Sequence, residues 1–334
     1  MIGKGFRQDN TWLAIDPIVG CGLDCQYCFL QAYGKAKTKG KVIMLPKETL
    51  ERLVTFRTYR KDSVLMLGSE TDIFMNRFNS QFFAELLRLF EYERIGNPIA
   101  VVTKCHIPDE FIQMAQDFKH TTILFYLSYS GLPKEIEPNV NIEKLKNNFR
   151  RLHDAGLNAI HYWRPLLPQN SSLEIMETVF RDVYRYAKCS VISGLRTNSR
   201  LREFYWFWPE LKKVDIAFHK VSYIWTQIVI ESIEIIKSKY PNYPIYHVNS
   251  CAVAYTLGKP EFNCFYDTEL CKDNSCPSSQ RGICQVDSVT RWFPTEEQIR
   301  LAMRSLSIDG NFIADDKEKT IVVDGVVEHG DLVY

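Results

Sequence analysis

Short β-branched runs alternate with segments of helical periodicity along most of the chain, and this alternation constrains the fold more than any other feature. The spacing predicts strands near Leu13–Ile18, Val64–Leu67, Ile99–Thr103, Ile123–Ser128, Ala159–Trp163 and Ser190–Ser193. Helices are expected between them, near Lys47–Tyr59, Gln81–Tyr92, Asp109–Gln116, Ile142–Ala155 and Leu173–Ala187, with Gly156 where a C-cap glycine belongs. Such a repeat calls for a parallel sheet with crossover helices. About six units make an α/β fold, a partial (β/α)6 TIM-type barrel, whose ligands gather at the C-terminal ends of its strands.

Further helices are expected near Arg202–Leu211 and Val221–Ser238, followed by a strand near Ile245–Val248. Past Asn249 the periodicity gives way to a cysteine-rich, loop-like stretch over 251–292. A capped helix near Thr295–Ser305 follows, then a hairpin pairing Ile321–Val323 with Val326–Glu328 across Asp324-Gly325. The expected division is therefore a barrel over 1–250 and an appended Cys-rich auxiliary metal or cluster region over 251–334.

The 334 residues, 46% apolar, suffice for a large core. A net charge of +1 excludes a global field for polyanions, but residues 251–334 carry net −6 and residues 1–250 carry net +7. A polyanion would be met by the first part. The N-terminus MIGKGFRQDN has no apolar core, and the apolar stretch Val221–Ile236 is broken by Gln227, Glu231 and Glu234. A cytoplasmic location without a membrane partner is expected. Ten cysteines in that reducing compartment point to metal or cluster ligation rather than disulfides.

Immediately after the first strand stands Cys21-Gly-Leu-Asp-Cys25-Gln-Tyr-Cys28. Three thiolates at C-x3-C-x2-C spacing can hold three corners of a [4Fe–4S] cluster and leave the fourth iron open. An amine and carboxylate, as in S-adenosylmethionine, can chelate that iron, and an electron from the reduced cluster can break a sulfonium bond. Structural zinc would require a fourth ligand nearby, and the next cysteine is Cys105.

In these residues the chain resembles the radical SAM superfamily, and within it the spore photoproduct lyase and DNA repair photolyase-like branch. The similarity continues through Ser69-Glu-Thr-Asp72-Ile73, Val102-Thr-Lys104, Leu127-Ser128 with Glu137-Pro138, Leu152-His-Asp-Ala-Gly156 and Arg164-Pro165. The resemblance implies that Cys21, Cys25 and Cys28 hold the cluster and that Tyr27 and Phe29 lie near the bound adenine. It implies that Lys104 and Ser128 hold the carboxylate of S-adenosylmethionine, and that Ser69, Glu70, Thr71 and Asp72 lie where its amine is held. Arg164 is a further pocket candidate. A biological reductant such as flavodoxin or ferredoxin is the implied partner. The lyase's hydrogen-donating cysteine and radical-relaying tyrosine align with Ser69 and Phe29, whose O–H and C–H bonds are too strong for that relay. Thymine-dimer reversal is therefore not expected.

A second constellation comprises Cys251, Cys264, Cys271, Cys276 and Cys284. Cys264, Cys271, Cys276 and Cys284 supply four thiolates from a flexible stretch, with Cys251 as a spare that could replace one of them. Four thiolates suit a second iron–sulfur cluster or tetrahedral zinc. Cys105 and Cys189 read as buried small hydrophobes.

The substrate class is open at this point. Lys35, Lys37, Lys39 and Lys41 form a basic loop after the cysteine motif, and Arg196, Arg200 and Arg202 lead into Phe204-Tyr205-Trp206-Phe207-Trp208. Cations for phosphates beside aromatics for bases suit a nucleic acid or nucleotide, although a solvated loop and core aromatics would look the same. The expected function is a radical SAM enzyme that cleaves S-adenosylmethionine to a 5′-deoxyadenosyl radical and abstracts hydrogen from substrate. Alternatives are a radical SAM enzyme acting on a peptide or protein with an auxiliary cluster, and a non-catalytic iron–sulfur or zinc protein.

Overall fold

Six successive strands of one sheet are each followed by a helix that packs on the same face. The structure is a computed structural model and describes residues 5–9, 11–198, 201–213, 222–263, 266–290, 293–305, 308, 310–315 and 320–324. Strands β1 (Phe6–Gln8), β2 (Trp12–Ile15), β3 (Val64–Leu67), β4 (Ile99–Thr103), β5 (Ile123–Leu127), β6 (Asn158–Trp163), β7 (Ser190–Ile192) and β8 (Ile245–Tyr246) lie side by side in chain order. All pairings are parallel except β1 with β2. Helices α1 (Pro46–Val54), α2 (Arg77–Tyr92), α3 (Asp109–Asp117), α4 (Ile142–Asp154), α5 (Leu173–Val183) and α6 (Gln227–Lys239) follow β2 to β7 in turn.

The strands are buried on both faces, and their period of two sorts the side chains. Leu13, Leu65, Ile99 and Phe125 share one core with Phe83, Phe149 and Phe180 from the helices. Trp12, Met66, Ala100, Tyr126, Tyr162 and Tyr246 form the core on the opposite face. Because α1 to α6 all contribute to the first core, the sheet is singly wound, as a barrel is, rather than doubly wound. Among the described residues it ends at β1 and β8 without closing, as the expected partial barrel does.

Three local expectations are corrected. The stretch 202–211 forms two 3-10 turns, Leu201–Phe204 and Pro209–Lys213, because Tyr205, Phe207 and Trp208 bury together, a pattern no single helix face provides. The helix expected from Val221 begins at Gln227, where Thr226 Oγ1 caps the Val229 amide at 3.3 Å; before it, Ser222–Ile224 pairs antiparallel with Leu195–Thr197. The stretch read as loop-like contains α7 (Asn249–Leu257), α8 (Glu269–Lys272) and α9 (Ser278–Thr290). Helix α7 covers the inner face of the sheet through Ala252 and Val253 and is apolar on most sides, so it shows no amphipathic signature.

The final helix, α10 (Glu296–Ser305), is capped by Thr295 as expected. The terminal hairpin pairs Thr320–Asp324 with Asn311–Asp315. This is a different hairpin from the one expected across Asp324-Gly325, whose second strand, Val326–Glu328, lies outside the described residues. No helix among the described residues is long and apolar enough to cross a membrane.

His161 on β6 is fully buried in the core under the helices. Its Nε2 stands 2.8 Å from the Tyr129 carbonyl, which only accepts, so Nδ1 accepts from Ser190 Oγ at 2.9 Å. Burial pushes its pKa down from 6.5 to about 3. The unfolded chain therefore binds a proton below pH 6.5 that the native state refuses, and stability present above that pH is lost as pH falls toward 3. Urea unfolding from about pH 6 to about pH 4 should show a slope up to about 1.4 kcal/mol per pH unit steeper than in His161→Phe. Parallel slopes would sink the assignment.

Candidate active site

The cysteine loop leaves the sheet at Gly20, whose φ of +111° lies in the region that favours glycine. Ile18–Val19 pairs with Lys41–Val42 to close the base of the loop. Gln31 Nε2 donates to the carbonyls of Cys25 and Gln26, each at 3.1 Å, and braces its interior. Amides of Leu23 and Asp72 face the Cys21 sulfur, and the Leu30 amide faces that of Cys28. Burial nevertheless pushes Cys21 up to about 12, Cys28 to about 11, and Cys25 well above the usual thiol range. The bare thiols are thus neutral at neutral pH, and thiolates form there when a bound cation offsets the desolvation.

Among the described residues no group of three or more His, Cys, Asp or Glu side chains is arranged to hold a metal ion. The donor set of the loop, three thiols within eight residues, is the one that a [4Fe–4S] cluster with one open iron takes.

Around the loop, the ends of β2 to β5 build a closed polar network. Gly68, φ +89°, turns the chain after β3 where a side chain would meet the Val102 carbonyl at 2.9 Å. The following Ser69 to Asp72 turn is laced to the loop: the Gly20 amide donates to the Glu70 carbonyl at 2.9 Å and Thr71 Oγ1 to the Gly20 carbonyl at 2.7 Å. Asp72 is buried and accepts from the Lys104 amide at 2.7 Å and from Thr103 Oγ1 at 2.8 Å. Asp16, past the end of β2, receives the Ser69 and Glu70 amides at 3.0 and 2.9 Å and the Ser69 hydroxyl. Burial raises the pKa of both carboxyls against these hydrogen bonds.

Lys104 Nζ donates to Glu137 Oε1 at 2.7 Å and to the Ser128 carbonyl at 2.9 Å. The same Glu137 oxygen accepts from Tyr27 Oη, and Glu137 Oε2 accepts from Ser130 Oγ at 2.8 Å. With side chains 12% and 3% exposed, Lys104 and Glu137 form a buried pair, and one ammonium N–H remains for a ligand. The residues that the resemblance assigns to S-adenosylmethionine thus share one region, with Lys104 already paired.

Phe29 opens a 3-10 turn with the Arg196 guanidinium 5.8 Å from its ring. Arg164, past the end of β6, donates to Tyr162 Oη at 2.6 Å and lies 4.4 Å over that ring, with Asn249 on the same hydroxyl. It belongs to the inner face, apart from the contacts that join Tyr27, Asp72 and Lys104. The Cys105 thiol, read from sequence as a small hydrophobe, is set against the Asp72 carboxylate and close enough to feel Cys21 and Cys25. Cys189 is fully buried among the inner apolar residues, as expected.

Asp16 and Ser130 went unrecognised in the sequence. The available signal for Asp16 was a lone carboxylate directly after an apolar strand, where a barrel places its polar ligands.

Lys35, Lys37, Lys39 and Lys41 are exposed, and Lys37 pairs with Asp24 at 3.0 Å. Tyr205, Phe207 and Trp208 are core, while Phe204 and Trp206 are exposed, Trp206 by 58%. Trp206 Nε1 donates to Gln26 Oε1 at 3.2 Å, which sets its ring beside the cysteine loop. Arg200 lies outside the described residues.

In the C-terminal region the structure brings Cys251, Cys271, Cys276 and Cys284 around one cavity. The spare of the sequence reading, Cys251, is therefore a member of the set, and Cys264 lies outside the described residues.

The fold and the polar network at its strand ends define a singly wound α/β partial barrel with a thiol-bearing loop at its mouth. Spore photoproduct lyase shares that fold. Spore photoproduct lyase complexed with dinucleoside spore photoproduct superposes with TM-score 0.50 at 15% identity, covering 68% of this chain and 72% of that one. A point mutant of the same enzyme gives the same four values. Streptococcus suis SuiB bound to S-adenosylmethionine gives TM-score 0.42 at 14% identity over 81% of this chain and 67% of that one. No protein-family profile and no curated protein matches the chain.

Proposed function

We propose that this protein is a radical SAM enzyme. The observation that carries the reading is the join of a three-thiol loop to Asp72, Lys104, Glu137 and Tyr27 through direct contacts at the C-terminal ends of β3 to β5. Cys21, Cys25 and Cys28 would hold a [4Fe–4S] cluster. When bound with S-adenosylmethionine, that cluster supplies an electron that breaks a sulfonium C–S bond and yields a 5′-deoxyadenosyl radical able to abstract hydrogen. Lys104 offers its remaining N–H to the methionine carboxylate, and Glu137 fixes the ammonium in place. The 69–72 turn presents backbone groups to the amine, with Asp72 holding it against Lys104. Ser69 and Phe29 stand where the lyase has its relay thiol and phenol, which agrees with a chemistry other than thymine-dimer reversal. Cluster-loaded protein given dithionite and S-adenosylmethionine should form 5′-deoxyadenosine. Its absence with any of nucleotide, oligonucleotide or peptide present would remove the reading.

The substrate class we favour is a single-stranded nucleic acid or nucleotide, on the exposed Trp206 beside the cysteine loop with the four lysines nearby in sequence. Trp206→Ala should weaken binding of a short single-stranded oligonucleotide roughly 5- to 100-fold, the worth of one stacked base. Affinity indifferent to both Trp206→Ala and salt would point instead to a peptide substrate.

A further inference from the structure

We propose that Cys251, Cys271, Cys276 and Cys284 ligate a second iron–sulfur cluster, a complete set of four thiolates. This goes beyond the radical reading and would stand without it, because none of these residues belongs to the first site.

Four elements deliver the thiols to one place. Cys251 rides on α7, Cys271 on α8, Cys276 in the turn that follows, and Cys284 on α9. All four line a single small cavity against Tyr246 of β8. Cys251 and Cys276 pack on the inner apolar core of the sheet, so one wall of the cavity is the barrel itself.

The buried amides around the cavity are aimed at sulfur. The Oδ1 of Asn274, a buried side chain, accepts from the His247 amide at 2.8 Å, which turns its NH2 group toward Cys251 Sγ at 3.6 Å. Gln280, also buried, gives one N–H to the Lys259 carbonyl at 2.8 Å, and its amide nitrogen lies 3.4 Å from Cys284 Sγ. Because a carbonyl only accepts, that contact fixes which end of the amide meets the sulfur. The Glu261 amide donates to Cys284 at 3.4 Å, and the Tyr246 hydroxyl lies 3.7 Å from Cys276. A neutral thiol is a poor acceptor for so many buried donors, whereas a metal-bound thiolate is the acceptor they suit. Arg281 adds a cation and links the turns by donating to the Cys271 and Asn274 carbonyls, each at 3.4 Å.

The choice of a cluster over zinc follows from these donors. Asn274, Gln280 and the Glu261 amide direct N–H groups at Cys251 and Cys284. Hydrogen bonds to the ligand sulfurs help set the potential of a cluster, whereas zinc has no redox state to set.

The test uses the full-length chain carrying Cys21→Ala, Cys25→Ala and Cys28→Ala, reconstituted anaerobically with iron and sulfide, or separately with zinc. Iron and inorganic sulfide in equal amounts, about four of each for a cubane, are expected, with the visible charge-transfer absorption of a cluster. Adding Cys264→Ala should leave both unchanged, and adding Cys251→Ala should reduce both at least severalfold. Asn274→Leu keeps all four thiols and should lower the midpoint potential, since N–H donors stabilise the charge of the reduced cluster. Zinc binding in place of iron and sulfide would overturn the proposal. So would loss of iron on Cys264→Ala, or its retention on Cys251→Ala in protein that keeps its wild-type circular dichroism. An unmoved potential in Asn274→Leu would overturn the role given to the donors.

Discussion

Alanine at Cys25 alone is expected to abolish 5′-deoxyadenosine formation, by on the order of 10³-fold or more, as fully as alanine at Cys21, Cys25 and Cys28 together. The three thiols act as a unit because an iron left with solvent in place of thiolate no longer retains the cluster that carries the open position. Cys25 is the buried member of the set, and Gln31 holds its carbonyl. Iron should fall by about four per chain in either variant, while the iron held by the C-terminal thiols stays. Liquid chromatography of the reaction products together with iron and sulfide analysis checks both halves. Residual 5′-deoxyadenosine near the wild-type level in either variant would end the assignment of this loop.

The second large effect concerns Lys104 and Glu137. Lys104→Met leaves the Glu137 carboxylate in a site 3% exposed with only Tyr27 and Ser130 donating to it. Breaking one side of a buried pair costs about 3–5 kcal/mol, whereas removing both charges is close to neutral. The double variant Lys104→Met/Glu137→Gln should therefore recover most of the stability lost, as read by urea unfolding. Binding of S-adenosylmethionine should not recover. Both variants should bind it roughly 10- to 100-fold more weakly, the worth of one hydrogen bond from a charged donor. Calorimetric titration of cluster-loaded protein separates the two roles: wild-type affinity in the double variant would make Lys104 a structural residue only.

The legible parts of this protein were those in which the physics is local. A strand buried on both faces must be apolar along its length and must end at a turn, so β3 to β5 could be placed within a residue from sequence. The loop of Cys21, Cys25 and Cys28 was legible because its three donors lie within eight residues, and chain geometry holds them together whatever the rest of the fold does. Where the local signal was ambiguous the reading failed. Residues 202–211 are rich enough in aromatics to suit a helix, but packing Tyr205, Phe207 and Trp208 against the cysteine loop required tight turns.

The sequence by itself determined the singly wound βα order, the thiol loop and the separation of charge between the two regions, because each follows from composition or from spacing along the chain. Only the tertiary structure decided that Glu137 meets Lys104 across 33 residues, that α7 fills the inner face of the sheet, and that Cys251 joins Cys271, Cys276 and Cys284 around one cavity. The reason is the same in each case. A buried carboxylate, a mostly apolar helix and a thiol become informative through the group they face, and that group is supplied by a distant stretch of chain once the sheet has formed.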